Sequence, residues 1–251
     1  YGDIDGDRIV EINVGRIYSI TLSDLSSMVN RVVFYDLIDT SNNFANLVIE
    51  DPSLFDMIMD SYSIDETLEN SGLNNQNNWI DEGKFTEEDL VDKKIINYFD
   101  HGSFSGASVR SSDLRNMKLS APIVFSDACL TSSYELNSFL DFPNKQALLY
   151  SASMVRAGAI AHIGAVDVAS QFMHFPKMFW DNVFRGNTLG NGIRDVSNGG
   201  IISSNNLYND FDNANNPEWW VSRHYVLLGD PTFNPSLDFS SDRDKLEIVE
   251  F

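Results

Sequence analysis

The chain holds one cysteine and four histidines, and two of these five residues share a setting. Cys129 follows the apolar run Ala121-Pro-Ile-Val-Phe125 through Ser126-Asp127-Ala128, and His101 follows Ile95-Ile-Asn-Tyr-Phe99 through Asp100. Both runs are continuously apolar over strand length, as central strands of a parallel sheet are. A cysteine alone reads first as a small buried hydrophobe. If the strand that ends at His101 is its neighbour, it reads instead as a nucleophile, because the thiolate is the reactive form and needs a basic or cationic partner. Gly102 permits a tight turn after the histidine. The backbone N–H groups of Gly102 and Cys129 are the natural donors for an oxyanion formed on an attacked carbonyl. The imidazole also needs an acid to orient it. Glu50 and Asp51 end the apolar run Ala45-Asn-Leu-Val-Ile49 and are both candidates, with Pro52 stopping the strand behind them.

The remaining histidines are weaker candidates. His162 lies inside the apolar run 159–163 and reads as buried packing, while His174 and His224 lack a glycine turn beside them. No HExxH or closely spaced pair exists for zinc. At the start of the chain, Asp3, Asp5 and Asp7 alternate around a glycine, with Glu11 following. These carboxylates are a candidate set for a structural calcium ion, although the spacing is not that of a full EF-hand. Chemistry at Cys129 requires no cofactor.

The elements that position these residues alternate. A strand is expected over Ile9 to Val14, and a helix capped by Ser23 or Asp24 runs from there to about Ile38. The strand 45–49 comes next. The stretch 53–83 reads as helical and then polar, followed by a short helix opened by the capping box Thr86-Glu-Glu-Asp89. Strands at 95–99, 121–125 and 159–163 follow, then a long helix from Phe175 to about Ile193. A loop rich in Asn, Gly and Ser covers 198–216, and the segment 219–229 returns to the sheet. This order predicts an α/β fold with a mostly parallel sheet covered on both faces. In such sheets ligands bind beyond the carboxyl ends of the strands, where Asp51, His101, Cys129 and Asp167 all fall.

Composition narrows the function. Of 251 residues, 17 are basic and 37 acidic, a formal charge of −20. A chain of that sign repels nucleic acid and anionic membrane surfaces. No apolar run is long enough for a membrane helix. One cysteine excludes an internal disulfide. The acidic, Asn-rich composition suits a secreted protein.

Four segments carry a family resemblance: Tyr1-Gly-Asp-Ile-Asp-Gly-Asp with Glu11-Ile-Asn-Val-Gly-Arg-Ile17, Ile96-Asn-Tyr-Phe-Asp-His-Gly-Ser103, Pro122-Ile-Val-Phe-Ser-Asp-Ala-Cys129 and Leu227-Leu-Gly-Asp-Pro-Thr232. In this order and spacing they resemble the catalytic portion of the gingipain-type cysteine peptidases of clan CD. The resemblance implies a caspase-like three-layer α/β sandwich over residues 1–235, with 236–251 an acidic tail or last strand. It also implies a His101–Cys129 dyad and endopeptidase activity outside the cell or at its surface.

The family's acidic partner of the histidine maps near Glu50 and Asp51. Residues matching Asp127 and Asp167 line the pocket for the substrate residue before the cut bond (P1) in lysine-cutting members, which implies a basic P1. Arginine-cutting members use an acid in the region of 55–65, where Asp56, Asp60 and Asp65 stand. Family members carry an N-terminal subdomain before the Tyr1 segment, so a cleaved N-terminal part or propeptide joins the protein or peptide substrate as an expected partner. Two other readings use the same features: a transpeptidase or sorting enzyme for surface proteins, and a non-catalytic surface scaffold. Asp100 departs from the family's small residue before the histidine and would attract the imidazolium.

Overall fold

The computed structural model describes residues 4, 9–17, 19, 21–38, 41, 43–49, 64–75, 79–80, 85–106, 108–133, 149–168, 174–203 and 224–235. In chain order the elements are α1 (Leu22–Val33), β1 (Asn43–Ile49), α2 (residues 64–70), β2 (Asn74–Asn75), β3 (Trp79–Ile80), α3 (Glu87–Leu90), β4 (Ile95–Phe99), β5 (Ile123–Asp127), α4 (Tyr150–Ala157), β6 (Ala161–Ala165), α5 (His174–Phe184), α6 (Leu189–Ser203) and β7 (Tyr225–Leu228). The strand order is β2-β1-β4-β5-β6-β7, with β3 also paired to β1. Every pairing is parallel except β6 with β7. The architecture is the three-layer α/β sandwich that the alternation of elements predicts.

The apolar runs explain the centre of the sheet. All five residues of each of β4, β5 and β6 are buried, which requires covering layers on both faces. Successive side chains alternate between those layers. Ile123 and Phe125 of β5 join Phe175, Phe179 and Trp180 of α5 and Val196 of α6 on one face. Val124 and Ala128 join Leu90, Leu114, Tyr150 and Met154 on the other. Phe125 and Phe179 meet with ring centroids 5.2 Å apart, and Phe179 stands edge-on to Trp180 at 4.9 Å.

Several local expectations are corrected. Residues 9–14 form no strand. They lie along α6, where Val10 N–H donates to Asn198 Oδ1 at 2.8 Å and Asn198 Nδ2 returns a bond to Val10 O at 3.1 Å. Sheet contact begins only at Arg16, bridged to Leu228. Thr21, not Ser23 or Asp24, caps α1: its hydroxyl accepts from Asp24 N–H at 3.1 Å while Asp24 Oδ2 accepts from Thr21 N–H at 3.0 Å. The expected helix 175–193 is two helices, broken at Gly186 with φ 85°. Helix α6 also continues through residues 198–203, which the composition had assigned to a loop. The capping box of α3 stands, with Asp89 Oδ2 accepting from Thr86 N–H at 2.6 Å. The tail 236–251 and most of the stretch 53–83 lie outside the described residues.

Candidate active site

The register of the two central strands sets the geometry. Phe99 of β4 pairs with Asp127 of β5, so His101 and Cys129, each two residues on, leave the sheet at one level and side by side. Gly102 is the point of contact. A methyl group built on it would lie 2.2 Å from Cys129 O and 2.6 Å from Cys129 N, so the two backbones touch where no side chain fits. His101 is exposed and Cys129 half-buried. Both stand at the carboxyl ends of parallel strands, where α/β sheets bind ligands.

The turn after Cys129 is held on several sides. Leu130 adopts φ 61°, a left-handed conformation that costs a non-glycine residue roughly 1–2 kcal/mol. Three backbone bonds fix it there: Leu130 N–H to Asp167 O at 3.0 Å, Ser132 N–H to Ala165 O at 2.8 Å and Ser133 N–H to Leu130 O at 3.0 Å. The Thr131 hydroxyl donates to Ala128 O at 3.1 Å. The end of β6 is thereby tied to the cysteine turn, and Asp167 is brought beside it. Asp167 itself is exposed, and its Oδ1 accepts from Val168 N–H at 2.7 Å.

Asp127 sits in different surroundings. It is 1% exposed; Tyr225 donates its phenolic proton to Oδ1, and Oδ2 has no hydrogen-bond partner. Burial pushes the carboxyl up from 3.8 to about 7, and the bond from Tyr225 opposes that rise. Tyr225, buried among Phe125 and Phe175, keeps its phenol proton well above the ordinary range, through burial first and the Asp127 carboxyl next. Sequence reasoning missed Tyr225. The available signal was a tyrosine inside an apolar strand, since a buried phenol generally finds a partner for its hydroxyl.

The expected attraction between Asp100 and His101 does not describe where the Asp100 carboxylate points. Asp100 is buried, and its Oδ2 accepts from Tyr98 OH at 2.7 Å and from Ser108 N–H at 2.9 Å. It anchors the loop that follows the histidine. His162 is buried as expected, near Ser132 Oγ at 3.3 Å and edge-on to Tyr150, and burial drives its pKa down to about 3.

Asp65, one of three acids weighed for arginine recognition, is buried. It accepts from Asn46 Nδ2 at 2.8 Å, Asn46 accepts from Asn97 Nδ2 at 2.8 Å, and Asn97 accepts from Trp180 Nε1 at 3.2 Å. Asp56 and Asp60 lie outside the described residues. Strand β1 runs beside β4 with Val48 opposite Phe99; Glu50 and Asp51, which follow it, lie outside the described residues, as do Asp3, Asp5 and Asp7. Glu11 is exposed and accepts from Ile4 N–H at 2.8 Å. Among the described residues, no group of three His, Cys, Asp or Glu is arranged to hold a metal ion, and no helix is long and apolar enough to cross a membrane.

Known proteins extend these observations. A search of curated proteins finds no match. Among solved structures, the chain is similar to the complex of Porphyromonas gingivalis RgpB pro- and mature domains. The TM-score is 0.65 and the identity 14%, over 92% of this chain and 58% of that one. The chain thus spans less than two thirds of that relative. It is also similar to Saccharomyces cerevisiae separase in two separase–securin complexes. Their TM-scores are 0.57 and 0.53 and the identities 12% and 10%, each over 87% of this chain and 14% of the other. At such identities the likeness establishes the fold. The sequence profile of peptidase family C25 matches residues 1–236, and with the fold in agreement, the chain belongs to peptidase family C25, within the clan CD cysteine-peptidase-like proteins.

Proposed function

We propose that this chain is a cysteine endopeptidase that cuts after a basic residue, with Cys129 as nucleophile and His101 as its acid–base partner. One observation carries the reading: the register of Phe99 with Asp127, together with the contact of Gly102 on the Cys129 backbone. A thiol and an imidazole at one level beyond two central strands form the minimal set for acyl transfer.

In the proposed reaction His101 takes the thiol proton and Cys129 Sγ bonds to the scissile carbonyl carbon. The N–H groups of Gly102 and Cys129 hold the oxyanion. His101 then protonates the leaving amine as the C–N bond breaks. Water activated by the neutral imidazole attacks the thioester, releasing the new carboxylate and restoring the thiol. Glu50 or Asp51 would orient the imidazole. Asp167, exposed beside the cysteine turn, would receive the cationic P1 group, with Asp127 buried behind that turn as the other candidate pocket residue. RgpB is held with its pro-domain in the related structure; by extension, a pro-segment is a proposed partner here, and the proposed location is extracellular or at the cell surface.

Lysine- and arginine-derived acyloxymethyl ketones test this, with intact mass reporting the adduct. The expected result is one adduct on Cys129, lost in Cys129→Ala and strongly slowed in His101→Ala, forming faster with one of the two basic probes. Folded protein, supplied with its pro-segment and N-terminal portion, that takes up no probe of any P1 type would overturn the reading.

A further inference from the structure

The face of the sheet beneath α4 is apolar toward the amino ends of the central strands and polar toward their carboxyl ends. Ile96 and Val124 belong to its core; two residues on, and on the same face, stand Tyr98 and Ser126. Tyr98, Ser126 and Gly164 lie abreast on β4, β5 and β6, with about 5 Å between neighbouring strands. Ser126 is therefore midway between two supports. On one side Tyr98 OH donates to Asp100, whose carboxylate also holds Ser108 N–H in the loop after His101. On the other, a methyl group on Gly164 would lie within 2.8 Å of Thr131 Oγ1, Ser132 Oγ and the His162 ring. Ser132 Oγ in turn meets His162 Nδ1 at 3.3 Å.

Helix α4 opens over the same row and touches both turns. Tyr150 N–H donates to Phe104 O, in the loop after His101, at 2.9 Å, and Ser151 N–H donates to Thr131 O, in the turn after Cys129, at 3.2 Å. Four side-chain atoms of this layer have no hydrogen-bond partner among the described residues: Ser126 Oγ, Tyr150 OH, Ser151 Oγ and His162 Nε2. All four residues are fully buried. Buried polar groups are paired as a rule, and where the protein supplies no partner an ordered water does, typically with about three bonds of its own. The chemistry of the four suits water and not an ion. Three are hydroxyls, which both donate and accept, and burial keeps the imidazole neutral. A cation would need anionic ligands, and an anion a fixed positive charge. We propose that Ser126, Tyr150, Ser151 and His162 line a buried hydration site whose water joins the loop after His101 to the turn after Cys129.

The inference concerns how the two turns are held, and it stands whether or not Cys129 is the nucleophile of a peptidase. A crystal structure at a resolution that shows ordered solvent tests the site itself. The expected result is water within hydrogen-bond distance of Ser126 Oγ and of at least one of the other three atoms. The four atoms bonded directly to protein partners, with no water between them, would overturn the proposal, as would a metal ion in their midst.

Amide hydrogen exchange tests the joining. Ser108 N–H reports the histidine loop through its bond to Asp100, and Ser132 N–H reports the cysteine turn through its bond to Ala165 O at 2.8 Å. Ser126→Ala removes the central ligand of the water, and both amides are expected to exchange about three- to tenfold faster, together, with the amides of α6 unchanged. A serine that only packs in β5 would leave these two amides at their wild-type rates, and that result, or a change at only one of them, would overturn the proposal. If Ser126→Ala fails to fold, as judged by circular dichroism, Ser151→Ala removes a ligand from the α4 side and is read in the same way.

Discussion

A single methyl group at position 102 would have nowhere to go, because both the carbonyl oxygen and the nitrogen of Cys129 lie within 2.6 Å of it. The contact is backbone on backbone, so no side chain can swing away to relieve it. Gly102→Ala must part the two turns that carry His101 and Cys129, and overpacking of this kind costs roughly 1–3 kcal/mol. The expected outcome is an unfolding free energy lowered by that amount and Cys129 labelling by the basic ketone probes slowed at least ~10-fold, since small misplacements of reacting groups are costly. Labelling at the wild-type rate in a folded Gly102→Ala protein would show that the two turns move independently. Asn46 offers a contrast away from the chemistry. It takes a bond from Asn97 and gives one to Asp65, so Asn46→Leu removes one partner from each of two buried polar groups. A loss of roughly 2–4 kcal/mol in denaturant unfolding is expected, with little effect on the labelling of Cys129 by the ketone probes.

At the scale of elements, the break between α5 and α6 is a clean case. Gly186 adopts φ 85°, and a methyl group there would meet nothing within 4 Å. Gly186→Ala should therefore cost only the left-handed strain, about 1–2 kcal/mol, and leave labelling of Cys129 unchanged; equilibrium unfolding beside the probe assay checks both halves. The same break shows why parts of the fold were not legible. The apolar spacing of 175–193 continues through the turn, and only the three-dimensional path reveals that Gly186 reverses the helix. Central strands were legible because burial on both faces leaves continuous apolar runs. From those runs alone, His101 and Cys129 could be placed at strand ends; that the two strands are neighbours is set by the pairing of β4 with β5. Residues 9–14 have a strand-like apolar pattern, but their polar partners are Asn198 and Asn191 of α6, more than a hundred residues away. Tyr225 was hidden for a similar reason. Its link to Asp127 depends on β7 pairing with β6 in one register, which no local spacing encodes.

At the scale of the whole molecule, two buried groups pull stability in opposite directions with pH. Burial lowers His162 from 6.5 to about 3, so between those values the unfolded chain binds a proton that the native state does not. Stability from this residue is present above 6.5 and is lost as pH falls toward 3. Burial raises Asp127 from 3.8 to about 7, so there the native state holds the extra proton. Its contribution is present below 3.8 and is lost as pH rises through 7. The two windows overlap, and across the overlap the proton gained by one group on unfolding is released by the other. Across the overlap their pH dependences cancel in the wild-type chain, leaving a constant penalty on the order of 4 kcal/mol. Single variants should uncover them. Relative to wild type, Asp127→Asn should gain stability progressively as pH rises from about 4 to 7, and His162→Gln should gain it progressively as pH falls from about 6.5 to 3. Denaturant unfolding at half-unit pH steps gives both difference curves. Using differences removes the titration common to all three proteins, including the relief of repulsion among the 37 acidic residues. Parallel curves for wild type and either variant would show that the group titrates alike in both states and overturn this account. Opposite slopes would identify the pair as a built-in compensation that keeps the sheet's stability level between about pH 4 and 6.5.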